Sequence, residues 1–344
     1  MDGRGDIKVS VLMLVYNQAQ WVDSAIQGAI NQRAPFAIEI VIGDDHSTDD
    51  TLEHCRQWQL KYGPDRVVIL TSEQNRGIQA NFLRTLDACR GEYIAICEGD
   101  DFWIDKSKLR RQVAFLDANP DYAASIHRVL NWYEDDRSQS LSNGGRQKRD
   151  CDILDLARCN FISNVSSVWR RGLCTADLKA ILDPKRDALT VDYAVHMLNA
   201  QYGKIHYSPR TMAVYRKYGK SVWSCARPDR QYLMAMNVRR VLMAHFCQSR
   251  PDVHALLAKA YVDNAVALMR YYRSVGEEDK NAAIITEVLA AVAGIPSQDT
   301  FTASYIERRL NAPARRTSIS DRAFRVLKNV RRLLSRILPS PRPC

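Results

Sequence analysis

The chain has 344 residues, 46% of them hydrophobic and 26% charged, with a formal net charge of +10. That balance predicts a soluble globular protein, one large domain plus an extension or two domains, and no repeat or low-complexity tract interrupts it. The charge is uneven: eleven Lys and Arg lie between Thr302 and Cys344 against Glu307 and Asp321, so the rest of the chain is nearly neutral. A near-neutral body argues against a nucleic-acid binder, which would interleave basic and aromatic residues on its surface. The nine cysteines are scattered without a C-x-x-C pair, which predicts a reducing compartment, and no H-x-x-x-H spacing suggests zinc. MDGRGDIK does not read as a secretory leader, and 282–295 is too short and polar to span a bilayer.

In chain order, Val9–Tyr16 is a continuous β-branched run, as a strand buried on both faces requires. Ala19–Asn31 has helical apolar spacing. A strand at Ile38–Ile42, a helix at Asp49–Tyr62, a strand at Val67–Thr71, a helix at Ile78–Cys89 and a strand at Tyr93–Cys97 follow. This alternation predicts right-handed crossovers and a mostly parallel α/β sheet. Beyond it come a helix at Lys108–Ala118, a polar loop over 134–152, and strands at Val165–Trp169 and Thr211–Tyr215. Helices are predicted over 230–248, 252–274 and 280–293, then a mixed linker over 296–320. The expected division is a catalytic domain over 1–225, a helical extension over 226–295, and a linker plus basic tail over 296–344.

In open parallel sheets the ligand sits beyond the carboxyl ends of the strands. Here those ends read YNQ, GDDHSTDD, SEQNRG and EGDD: all polar, two of them acidic. A carboxylate at Asp45 can accept from a ribose hydroxyl or a base N–H; equally, Asp44 and Asp45 could open a turn, with Ser47 or Asp49 capping the next helix. Glu98, Asp100 and Asp101 place three like charges within four positions. Such charges repel and raise each other's pKa unless a cation joins them. Adjacent carboxylates offer the hard oxygen ligands that Mg²⁺ or Mn²⁺ prefers, the rest of the shell being phosphate and water. No G-x-x-x-x-G-K-[ST] or G-x-G-x-x-G is present to cradle phosphate instead.

The ordered stretches VSVLMLVYNQAQWVDSAI, EIVIGDDHSTDDT, NRGIQANF, GEYIAICEGDDFW and KLRRQVAFLDANPDY resemble family 2 glycosyltransferases of the GT-A fold. The likeness continues more weakly through NFISNVSSVWRR, TVDYAVHMLNAQYGKI and MAVYRKYGKSVWS, to about residue 225. It implies a Rossmann-like sheet flanked by helices and a nucleotide diphosphate sugar as donor. Asp45 then holds the nucleobase, and Tyr16, Asn17, Asn75 and Arg76 line the nucleotide pocket. Glu98 and Asp100 belong to the acidic motif, Asp101 is the direct Mn²⁺ or Mg²⁺ ligand, and Asp192 is the catalytic base. Tyr218 stands where the family often has His, Lys220-Ser221 where a Gly pair is usual, and Val191 where Gly or an acid is common. Asp192 also suits the cap of a helix over 193–201. No Q-x-x-R-W motif or multiple span points to a processive polymerase, so transfer of one sugar to a glycan or lipid-linked glycan is expected.

In DRAFRVLKNVRRLLSRIL (321–338) apolar residues recur at helical spacing opposite six basic ones, between Ser320 and Pro339. Such a helix suits an anionic membrane surface, or else packs on the body with its charges solvated. The expected location is cytoplasmic, at the inner membrane face, with a homo-oligomer left open. Two other readings share the acidic sheet ends: a sugar-1-phosphate nucleotidyltransferase, disfavoured because YNQAQW is no Gly-rich basic loop, and an inactive sugar-nucleotide-binding scaffold.

Overall fold

The apolar run at the start of the chain becomes the middle of a ten-stranded mixed sheet. A computed structural model describes residues 6–143, 147–183, 190–219, 226–293, 295 and 302–312. Its strands are β1 (Ile7–Val15), β2 (Ala37–Asp44), β3 (Val67–Leu70), β4 (Tyr93–Ile96), β5 (Phe102–Trp103), β6 (Tyr122–Tyr133), β7 (Gln139–Leu141), β8 (Asp150–Cys151), β9 (Val168–Arg170) and β10 (Lys204–Lys217). Its helices are α1 (Val22–Ile30), α2 (Thr51–Tyr62), α3 (Ile78–Ala88), α4 (Lys108–Ala118), α5 (Ile153–Arg158), α6 (Thr175–Ile181), α7 (Val191–Ala200), α8 (Pro228–Phe246), α9 (Pro251–Ser274), α10 (Asn281–Ala291) and α11 (Ala303–Asn311).

The sheet order is β3-β2-β1-β4-β9-β6-β10-β5, with β7 on β6 and β8 on β10. β1 pairs in parallel with β2 and β4, and β6 with β10. β9 runs antiparallel between β4 and β6, so these two blocks point the same way and their carboxyl ends share one edge. Along β1, Val9, Val11, Met13 and Val15 face the core under α1 and α4, while Leu12 faces the opposite core. Burial on both faces is what the unbroken apolar run requires.

The structure departs from the sequence expectation mainly after residue 118. β6 was not expected, because its buried positions include Ser125, His127 and Asn131. The strand expected at Val165–Trp169 is a 3₁₀ turn at Asn164–Ser166 followed by β9. The linker expected over 296–320 contains α11, whose Ile306 and Leu310 are buried and whose Arg309 pairs with Asp263 of α9. The tail helix expected over 321–338 lies outside the described residues.

The second core continues from Leu12, Ile94 and Ile96 through α7 into α8, α9, α10 and α11. α7 is accordingly buried at every position except Asp192, which stays part-exposed at its first turn. The helical extension therefore forms the wall that holds α7 against the sheet.

Candidate active site

Two loops hang from the end of β1. The Asp45 amide donates to the Val15 carbonyl and the Gly99 amide to the Leu14 carbonyl, each at 3.1 Å. These bonds bring the β2 and β4 ends together, as the alternating topology requires. A side chain at Gly99 would place its Cβ 2.3 Å from Gln18 Oε1 and 2.6 Å from Val15 Cγ1, so the EGDD loop can approach β1 only through glycine.

At the β2 end, Asp45 is buried, and its carboxylate accepts from the Arg76 amide at 2.8 Å and the Gly77 amide at 2.9 Å. Asn75 Oδ1 accepts from the same Gly77 amide at 3.0 Å, where the chain turns through φ +82°. Asp45 thus fixes the 75–77 loop, while the side chains of Asn75 and Arg76 remain exposed. Asn17 takes a left-handed φ of 52°, accepting from the Thr48 amide at 2.8 Å and donating its own amide to Ser47 Oγ. Tyr16 beside it is 47% exposed. Asp49 accepts from Thr51 and from the Ala19 amide, so it closes the start of α2 from one position before the cap.

At the β4 end, the carboxylates crowd as expected. Burial, then Asp100 and Asp192, push Glu98 up to about 8, although Asn164 Nδ2 donates to it at 3.3 Å. Burial raises Asp100 as well, against the opposing effect of Tyr218, whose hydroxyl donates to Asp100 Oδ2 at 3.0 Å. Asp101 has no exposed surface; Oδ1 accepts from the Arg216 amide at 2.9 Å, and Oδ2 has no hydrogen-bond partner among the described residues. Burial with Asp100 and Glu98 drives its pKa well above the usual carboxylate range. Asp192 is raised by burial too, and lies in the first turn of α7 rather than at its cap, which is Thr190.

Arg216 is the residue the sequence reading missed. Its Nε donates to the Asp100 carbonyl at 2.9 Å and its Nη1 to Glu134 at 2.5 Å, and its guanidinium stacks 4.1 Å over Trp21. It clamps the acidic loop to β10 and to the start of α1. It lies in the weakly family-like stretch MAVYRKYGKSVWS, but nothing in a single sequence marks an arginine that acts through its backbone amide and a ring face.

The donor set fits a divalent cation: hard oxygens, mutual repulsion, and one buried oxygen left unpartnered. Among the described residues no group of three or more His, Cys, Asp or Glu is placed to hold a metal ion. One or two carboxylates is the number Mg²⁺ takes when phosphate and water complete the rest.

Residues 10–173 match the family profile described as Glycosyl transferase family 2. That segment, just under half of the chain, is a domain of that family. The chain is 36% identical over 223 residues to an uncharacterized protein, Rv1520, of Mycobacterium tuberculosis (strain ATCC 25618 / H37Rv). That match covers 65% of this chain and 62% of the relative's length. Its fold is that of the S. aureus TarS 1–349 crystal structure in complex with UDP-GlcNAc, at TM-score 0.63 and 17% identity, over 88% of each chain. The mannosyltransferase PcManGT of Pyrobaculum calidifontis, solved with GDP-Man and Mn²⁺, superposes at TM-score 0.50 and 16% identity, over 85% of this chain and 80% of its own. These likenesses give the GT-A sheet flanked by helices.

Proposed function

We propose that this family 2 member transfers one sugar, with inversion, from a nucleotide diphosphate sugar to a glycan or lipid-linked glycan acceptor. One observation carries the reading: Glu98 at the β4 end lies within electrostatic reach both of Asp100 and of Asp192 on α7, a residue far from it in sequence. The nucleotide sugars in the TarS and PcManGT structures support the donor class. The base is assigned to the β2-end loops, where Asp45 holds the 75–77 segment and Tyr16, Asn17, Asn75 and Arg76 offer contacts.

Asp192 acts as the general base. It takes the acceptor hydroxyl proton as the new C–O bond forms and the bond to the diphosphate breaks, the electron pair leaving with the phosphate oxygen. Its raised pKa makes it a stronger base than a solvated aspartate. A bound Mn²⁺ or Mg²⁺ would supply positive charge to the departing diphosphate. We assign the direct ligand role to Asp101, with Asp100 and Glu98 beside it. The Asp101 carboxylate is anchored through one oxygen by the Arg216 amide, and its buried Oδ2 has no hydrogen-bond partner among the described residues. Tyr218 orients Asp100 through its hydroxyl in the position where relatives often carry His. No helix among the described residues is long and apolar enough to cross a membrane; contact with the inner membrane face is assigned to the 321–338 segment.

The test is a thermal-shift series with UDP and GDP, each with and without Mn²⁺. A metal-dependent shift in the wild type that Asp101→Asn abolishes is expected. An Asp101→Asn protein that keeps the full shift would remove Asp101 from the metal site.

A further inference from the structure

The stretch KLRRQVAFLDANPDY takes no part in the chemistry above, yet it carries a lysine with no exposed surface. Lys108, at the start of α4, has a relative exposure of 0%, and its Nζ has no hydrogen-bond partner among the described residues. α4 lies along β6. Gln112 Nε2 donates to the Ser125 carbonyl at 2.7 Å and to the Ser166 carbonyl at 3.0 Å. Four helical residues rise about 6 Å and two strand residues about 6.6 Å. With Gln112 seated on Ser125, Lys108 therefore falls opposite His127, whose imidazole feels the lysine's charge.

The hydrogen-bond types at this spot are complementary but unmet. His127 Nδ1 donates to the Arg128 carbonyl at 2.7 Å, which makes Nε2 of the neutral ring an acceptor. That Nε2 and Gln112 Oε1 have no hydrogen-bond partner among the described residues, and neither has Lys108 Nζ, the donor on the same helix as Gln112. A single water would accept from Nζ and donate to Nε2 and Oε1, making three bonds, the usual number for a buried water.

Lys108 is also tied to the acidic recess. Its Nζ lies 4.2 Å over the Trp103 ring, whose Nε1 donates to the Val165 carbonyl at 3.0 Å. Asn164, the preceding residue of the same turn, donates to Glu98. The Cys97 thiol, 3.8 Å from the Asp101 carbonyl, lies within electrostatic reach of Lys108. We propose that Lys108, Gln112 and His127 enclose a structural water, and that Lys108, so held over Trp103, is a positioning residue that places Glu98 through Trp103, Val165 and Asn164. The positioning role rests on reading the recess as the donor site; the water does not.

The experiment pairs high-resolution crystal structures of the full chain and of Lys108→Met with binding of UDP and of GDP in the presence of Mn²⁺. Density within hydrogen-bond distance of Nζ, Nε2 and Oε1 is expected in the wild type. Lys108→Met should melt close to wild type, because removing the buried amine also removes its desolvation cost, which offsets the lost water bond and ring contact. It should nevertheless lose the Asn164–Glu98 contact and about 10–100-fold in nucleotide·Mn²⁺ affinity, as when the outer support of a metal site is removed. A dry cluster would overturn the water. Intact loop geometry with wild-type affinity, or loss of affinity that merely follows a lower melting temperature, would overturn the positioning role. If Lys108→Met does not fold, Trp103→Phe keeps an aromatic ring but removes the indole N–H; wild-type affinity there is equally fatal. Should wild type bind neither nucleotide, the recess reading fails, while the density at Lys108 and the Asn164–Glu98 contact in the variant still decide this proposal.

Discussion

Two buried carboxylates at opposite ends of the sheet are treated in opposite ways. Glu39 of β2 has no exposed surface and is fully satisfied: Ser10 Oγ donates at 2.6 Å, the Arg90 amide at 2.7 Å and Arg90 Nε at 2.8 Å, and its guanidinium pairs with it. Asp101 is equally buried, keeps one oxygen unpartnered, and sits among anions. A buried anion that only holds the fold has its cation built in. One whose partners are missing implies a charge that arrives with a ligand.

Four changes would break or sharpen that contrast. Asp192→Asn should lower turnover about 10²–10⁴-fold while nucleotide binding persists, the range for removing a general base; a variant with normal turnover removes Asp192 from the mechanism. Arg90→Met should cost about 3 kcal/mol in denaturant unfolding, because it strands Glu39 without its charge partner. Nucleotide·Mn²⁺ affinity should not change, and a loss there would mean the two ends of the sheet are coupled. The third change is in pH. The folded chain holds the Glu98 proton up to about 8 and the unfolded chain only to 4.5. Between those values the folded state binds more protons, so metal-free protein should lose stability as pH rises, by at most about 1.4 kcal/mol per unit. Melting curves from pH 6.5 to 8 in chelator should show this decline, and Glu98→Gln should flatten it; parallel slopes would refute the assignment. The smallest effect is expected from ending the chain at Ala312, which should leave turnover of a soluble acceptor analogue unchanged and abolish sedimentation with anionic vesicles.

The sequence was most informative where physics acts along the chain. β1 to β4 were legible because strands buried on both faces must be continuous apolar runs. The acidic ends were legible because parallel topology sends them to one edge. β6 was not, because His127 and Asn131 occupy buried positions that only tertiary partners justify. α11 was not, because Ile306 and Leu310 acquire meaning only against α9. Within the site, Asp192 was found through family resemblance alone. The anchoring of Asp101 by the Arg216 amide is something no spacing rule reveals.

The unbroken core from the sheet into the C-terminal helices sets a limit on protein engineering. A chain stopped after β10 would remove α8, whose Arg239 lies over the Tyr193 ring of α7 at 5.0 Å, and open the core that the C-terminal helices share with α7. The residue assigned to remove the proton would then ride on an unsupported helix. The helical half is therefore no independent module to trade between homologues; the cut must keep α7 and its backing together.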